Sequence, residues 1–122
     1  MAFSRGEIVE VKFRLPPDGR LEEHPVLIIS NSELNKSEEG FTAVMMSTTN
    51  ADDEYSFNIT DNMLNIPYGD NKHREIRLNL IGSFIDKDVV LNTRKRMYVK
   101  EDHLKRIITQ INRITFGFEI KV

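Results

Sequence analysis

The chain contains no cysteine. That single absence excludes disulfides, thiolate metal sites and cysteine nucleophiles together, and it fits a reducing cytosol. Long apolar runs are also missing. Nothing in the sequence approaches the roughly 20 residues that a membrane-spanning helix needs, and Arg5 and Glu7 interrupt the start almost at once. Neither a signal peptide nor a membrane anchor is therefore expected, and the expected location is cytoplasmic. A large excess of either charge is missing too: the formal net charge is −2, too near neutrality to announce a nucleic-acid binder by itself. His24, His73 and His103 are too far apart for zinc-ligand spacing. No glycine-rich phosphate loop, nucleophile elbow or dinucleotide fingerprint occurs, so no cofactor and no metal are expected.

What is present is the length of one domain, 1–122, enough to bury a single core without staples. Charge is unevenly spread along it. Between Arg94 and Arg106 six basic residues (Arg94, Lys95, Arg96, Lys100, Lys105 and Arg106) face two acids, a local balance of +4. Between Asn50 and Asn62, Asp52, Asp53, Glu54 and Asp61 give −4. Runs of this kind make a solvated surface at least as readily as a binding face.

Periodicity supplies the elements. Val9, Val11 and Phe13 alternate with Glu10 and Lys12, the pattern of a half-buried strand over Glu7–Phe13. Pro17-Asp18-Gly19 then makes a loop with Arg14 and Arg20 at its shoulders. Val26–Ile29 is a continuous apolar run, expected as a strand buried on both faces and started by Pro25. Asn31–Gly40 is polar and is expected as a surface connection. Phe41–Ser47 reads as a third strand and Tyr55, Phe57 and Ile59 as a fourth. A long connection with one helical turn near Met63-Leu64 follows. Glu75–Ile81 alternates most cleanly, with Ile76, Leu78 and Leu80 expected inward and Glu75, Arg77 and Asn79 on the other face. Short strands are expected near Phe84-Ile85, Val89–Leu91 and Met97–Val99. Leu104, Ile107, Ile108, Ile111 and Ile114 then recur at three and four, the stripe of an amphipathic helix that Gly117 would cap. Phe118, Ile120 and Val122 return to period two, an edge strand. Many short strands and one closing helix imply a small, mainly β, strongly twisted barrel with helices packed on it.

Three segments, in order, resemble the PemK/MazF toxin family: Arg5-Gly-Glu-Ile-Val-Glu-Val11 its first strand, His24-Pro-Val-Leu-Ile-Ile-Ser30 its second, and Met45-Met-Ser-Thr-Thr49 the end of its third. The resemblance implies a dimeric, SH3-like barrel that cleaves single-stranded RNA without a metal and is restrained by a cognate antitoxin. In that chemistry the ribose 2′-OH attacks the adjacent phosphate, which demands a base, an acid and donors for the phosphate charge. The resemblance places Ser47 and Thr48 at hydroxyl positions of the family site.

Two positions depart from the family. His24 stands where it has an arginine; imidazole transfers protons near neutral pH but lacks the guanidinium fork that grips phosphate. Asp86 stands where some members have another arginine, with Asp88 matching the acid two residues on. Strand periodicity offers Arg77 as the missing cation, with Arg74 nearby, and Arg14 and Arg20 as residues that steer RNA. The expected catalytic set is thus His24, Ser47, Thr48 and Arg77, and the expected RNA-binding set is Arg14, Arg20, Arg74 and Asp88. Each has a plainer reading: His24 as a surface residue before proline, Ser47–Thr49 as a polar strand end, Arg77 as half of a cross-strand ion pair. The alternative function is a module of the same fold that has lost cleavage and binds RNA or a partner protein.

Overall fold

The alternating segment after Gly6 becomes β1 (Ile8–Leu15), and the chain returns as β2 (Arg20–Ile28). The computed structural model describes residues 2–15, 19–91 and 96–118, with the backbone alone at 13–15. The centre of the expected Pro-Asp-Gly loop falls outside the described residues, although Gly19 takes a positive φ of 68°. β1 and β2 pair antiparallel in an unbroken register from Ile8↔Leu27 to Leu15↔Arg20. Pro25 does not begin β2, as expected, but sits inside it opposite Glu10. The reason lies on the other edge of the strand. Ile28 donates its N–H to Glu7 on the β1 side, so by alternation position 25 would donate away from β1. Pairing with β3 (Gly40–Ser47) stops at Val26↔Met45, so no ladder bond is missing there.

The polar stretch Asn31–Gly40 is also more than a surface connection. It folds as a short helix, α1 (Ser32–Glu38), whose Asn31 side chain accepts a bond from the Glu33 N–H at its N-terminus. Asn35 is wholly buried and ties this helix to the N-terminal segment by donating to the Phe3 carbonyl at 2.9 Å. Its polarity conceals a core position, because the amide is satisfied internally.

β4 (Ser56–Asn58) is followed by a 3-10 turn at Asp61–Met63, where a helical turn was expected. β5 (Glu75–Ile85) is the longest strand. It pairs Glu75, Ile76 and Arg77 with Ser47, Met46 and Met45, then jumps to Ile81 opposite Val44, so 78–80 bulge from the ladder. Ile76 and Leu78 are buried as expected, but Leu80 is 47% exposed, because the bulge breaks the alternation on which the inward reading rested. A 3-10 turn at Asp86–Asp88 leads to the two-residue β6 (Val89–Val90), which pairs with β1. Tyr98 and Val99 form bridges to Glu7 and Leu64. The sheet order is β4-β5-β3-β2-β1-β6. Among the described residues the sheet does not close, with edges at β4 and β6, and it is consistent with the expected twisted, barrel-like fold.

Each face of the sheet has its own core. On one, Ile8, Leu27, Val44, Met46, Ile76 and Leu78 meet Leu104, Ile107 and Ile111 from the C-terminal helix α2 (Glu101–Gln110) and the wider π turn, Ile111–Thr115, that continues it. The expected stripe is the buried one, and each fully buried aliphatic side chain contributes about 2 kcal/mol. Gly6 permits the close approach at this junction: at φ 95°, a Cβ there would meet Leu104 at 3.2 Å. Gly117 takes φ 74° at the helix end, as expected of a cap. On the other face Val9, Val11, Val26, Ile28, Phe41 and Ala43 pack with Phe3. Ile120 and Val122 of the expected last strand lie outside the described residues.

Candidate functional site

The second face is apolar at one end and polar at the other, and strand register shows why. Val11 pairs with His24, and both share the face of Val9 and Val26. Val26 pairs with Met45, so His24 and Ser47, two residues farther along each strand, keep that face. Ser47 pairs with Glu75, Met45 with Arg77, and Arg77 with Ser56. His24, Ser47, Glu75, Arg77 and Ser56 therefore stand on one face, three of the four expected catalytic residues among them. Thr48 follows Ser47 at the strand end and is exposed. The Ser47 hydroxyl oxygen accepts the Thr49 N–H at 3.0 Å, which leaves its proton for an acceptor in solution.

The residues around Glu75 form a closed ionic network. Its carboxylate is fully buried, yet all of its acceptor positions are used. Oε1 accepts from the Ala51 N–H at 3.2 Å and from His73 Nε2 at 2.8 Å. Oε2 accepts from the Ser56 hydroxyl at 2.7 Å and from Arg77 at 3.0 Å. Burial pushes the carboxyl up, but the four donors outweigh it and hold Glu75 below its ordinary value. Arg77 also grips Asp53 with two nearly parallel bonds of 2.9 and 3.1 Å. That guanidinium, with the Ser56 hydroxyl, pulls Asp53 down to about 2. The expected role of Arg77 as an open phosphate cation thus meets a residue already held between two carboxylates. The plainer ion-pair reading describes its state here.

The other expected residues are dispersed. Arg74 pairs with Asp70 through bonds of 2.6 and 3.0 Å and stacks on the Tyr68 ring at 3.4 Å, at the edge of a polar cavity of about 450 Å³. This pairing lowers Asp70 to about 2. Arg20 is on the part of the β1–β2 hairpin that projects beyond β3, four residues from His24, and reaches Glu22 at 2.8 Å. Arg14 pairs in register with Leu21; its side chain lies outside the described residues. Asp88 caps its own turn by accepting the Ile85 N–H at 3.2 Å, beside β1 rather than beside Ser47. Of the basic run, Arg94 and Lys95 lie outside the described residues, and Arg96 is paired at 2.7 Å with the buried Glu7. Among the described residues no group of three or more metal-ligating side chains is found, and no helix is long and apolar enough to cross a membrane.

Sequence reasoning missed Glu75, His73, Asp53 and Ser56. The spacing His73-x-Glu75-x-Arg77 was visible: three polar groups at alternate positions share one side of a strand. Only the tertiary fold shows that this side is covered by the turn from Ser47 to Ala51.

Such an antiparallel sheet, sealed on one face by a helix and carrying histidine, hydroxyls and a buried ionic network on the other, defines a small β-class protein with a half-buried polar strip. A family model described as PemK-like, MazF-like toxin of type II toxin-antitoxin system matches residues 4–115, and the chain belongs to that family. Sequence comparison with curated proteins finds no match. Among solved structures it is similar to an endoribonuclease from a mycobacterial species, at 16% identity and a TM-score of 0.71, covering 99% of this chain and 97% of that one. A mycobacterial endoribonuclease in complex with its cognate antitoxin gives 17% identity and a TM-score of 0.68, covering 98% and 100%. The MazE–MazF complex of Deinococcus radiodurans gives 13% and 0.70, covering 98% and 99%. At such identities the likeness is one of fold.

Proposed function

We propose that this chain is an endoribonuclease toxin that cleaves single-stranded RNA through attack of the ribose 2′-OH on the neighbouring phosphate, with no metal in the reaction. Membership of the toxin family and a fold shared with endoribonucleases support the class. The observation that carries the site is the placement of His24 and Ser47 on one face, each two residues beyond the last β2–β3 pair. His24 exchanges a proton with the reacting ribose or the leaving oxygen. Ser47 and Thr48 donate hydroxyl protons to the phosphate oxygens, where charge accumulates. Arg77 reaches the phosphate only by exchanging the Asp53 carboxylate for it; otherwise it holds Ser56 and Glu75 in place. Arg14, Arg20 and Arg74 attract the RNA backbone, and Asp88 borders its path. As in the solved complexes of relatives, a cognate antitoxin is the expected partner. We place the protein in the cytoplasm as a homodimer, with 1–122 as a single domain.

The test is incubation of a long single-stranded RNA with the protein in EDTA, beside His24→Ala and Arg77→Ala. Discrete fragments with cyclic-phosphate and 5′-OH ends are expected from the wild type, and a loss of about 10²–10⁴-fold in His24→Ala. RNA left intact across many sequences would overturn the reading. The second reading, a module that binds RNA or a partner protein without cutting, draws on His24 in place of the family arginine and on the closed Asp53–Arg77–Glu75 network. Retained RNA binding without fragments would select it.

A further inference from the structure

We infer that His73, held by the buried carboxylate of Glu75 beside the Ser47–Ala51 strand end, is a second proton-transfer residue. This rests on the nuclease reading above. Intramolecular cleavage of RNA needs two proton movements. As the O2′–P bond forms, a base takes the 2′ proton; as the P–O5′ bond breaks, an acid protonates the leaving 5′ oxygen. The products are a cyclic phosphate and a free 5′-OH, with no co-reactant. His24 supplies one group. Nothing assigned so far supplies the other, because Arg77 is held by two carboxylates and serine hydroxyls are poor acids near neutrality.

Three observations point to His73. First, its Nε2 is bound at 2.8 Å to a carboxylate that is ionised and fully buried, which fixes the ring and puts a proton on Nε2. Nδ1 is then the nitrogen left to trade a proton with substrate. A buried acid that orients an imidazole in this way is the arrangement that general acid–base sites use. Second, the same Glu75 oxygen accepts the Ala51 N–H at 3.2 Å, so the ring and the turn that follows Ser47 and Thr48 converge on one atom. Third, the His73 side chain is 28% exposed and lines the polar cavity with Asn58, Thr60 and Tyr68, so a nucleotide can reach it.

Glu75 is a positioning residue here, not a catalytic one. Glu75 from β5 meets the imidazole directly, and Arg77 from β5 and Asp53 from the segment before β4 extend the same charged network. The cavity rim adds Asp61 from the 3-10 turn and Asp70, Lys72 and Arg74 from the loop before β5.

The experiment compares His73→Gln, which can still donate to Glu75, with His73→Ala and the wild type. It measures melting temperature, RNA affinity and the pH dependence of kcat. His73→Gln is expected to keep melting and affinity, to lose about 100-fold or more in kcat, and to lose one limb of the pH profile. Imidazole in the buffer is expected to restore part of the His73→Ala rate. An RNA with sulfur replacing the leaving 5′ oxygen needs no acid: recovery of His73→Gln on it assigns His73 as the acid, and continued loss assigns it as the base. If His73→Gln keeps both limbs and cleaves within about threefold of wild type while His24→Ala is inactive, His73 is structural and only this inference falls. Should His73→Gln fold poorly, absence of imidazole rescue in His73→Ala counts against the inference in the same way. A wild type that cuts no RNA overturns both readings.

Discussion

The two flanks of the polar strip are built in opposite ways. On the β5 flank, Glu75, Arg77, Asp53 and Ser56 satisfy one another within about 3 Å, and the central carboxylate has no solvent exposure. On the β2 flank, His24 stands where the β1–β2 hairpin leaves the shelter of β3, and Arg20 beyond it is 68% exposed in its pair with Glu22. Burial raises the electrostatic stakes on the first flank: each missing partner would leave a desolvated charge. On the second, water screens the pair and can replace either member. A fixed wall on one side and an accessible hairpin on the other suit a site that must admit a flexible chain and still hold its reacting groups in register.

The most direct way to break this contrast is Glu75→Ala, which deprives four donors of their acceptor. It should cost about 3 kcal/mol by urea unfolding, and a loss below about 1 kcal/mol would mean that the network does not set stability. Ser56→Ala removes the one hydroxyl proton that Asp53 and Glu75 share and should cost about 1–2 kcal/mol in the same assay.

Acid sharpens the comparison further. Asp53 falls from 3.8 to about 2 in the folded chain, so its folded value lies below its unfolded one. Its stabilisation is complete above pH ~4 and disappears as pH falls toward 2. Unfolding midpoints measured from pH 5 to pH 2 should drop for the wild type and drop less for Asp53→Asn. Parallel curves would remove Asp53 from the account, leaving Asp70, also near 2, and Glu75, also held below its ordinary value, to explain the acid limb.

The smallest effect is expected on the open flank. Arg20→Ala should change stability by less than about 0.5 kcal/mol. It should also reduce the slope of log RNA affinity against log salt by about 0.7, the share of one phosphate contact on a single strand. An unchanged slope would take Arg20 out of the RNA path.

Much of the fold was legible because period-two and period-3.6 patterns report directly which faces are apolar. Val9 and Val11, the Val26–Ile28 run, Ile76 and Leu78, and the Leu104–Ile107–Ile111 stripe are all buried as their spacing required. The failures share a cause: a polar residue looks exposed until its partners are known. Asn35 and Glu75 are fully buried because partners distant in sequence, Phe3 for the one and Ala51 for the other, help to complete their hydrogen bonds. Leu80 is exposed because a bulge shifts the pleat, and Pro25 is tolerated inside a strand because a neighbour's pairing stops beside it.

The sequence by itself determined the class: strands in this order, a closing amphipathic helix, no thiol chemistry, and a His–Pro and Ser–Thr pattern resembling the toxin family. Local periodicity and side-chain chemistry suffice for those. Tertiary structure alone decided that His24 and Ser47 share a face, that Arg77 is held by Asp53 and Glu75, and that His73 is turned on a buried carboxylate. Those facts depend on pairing register between strands far apart in the chain. No local pattern carries that information, because a one-residue slip would send every one of these side chains to the opposite face.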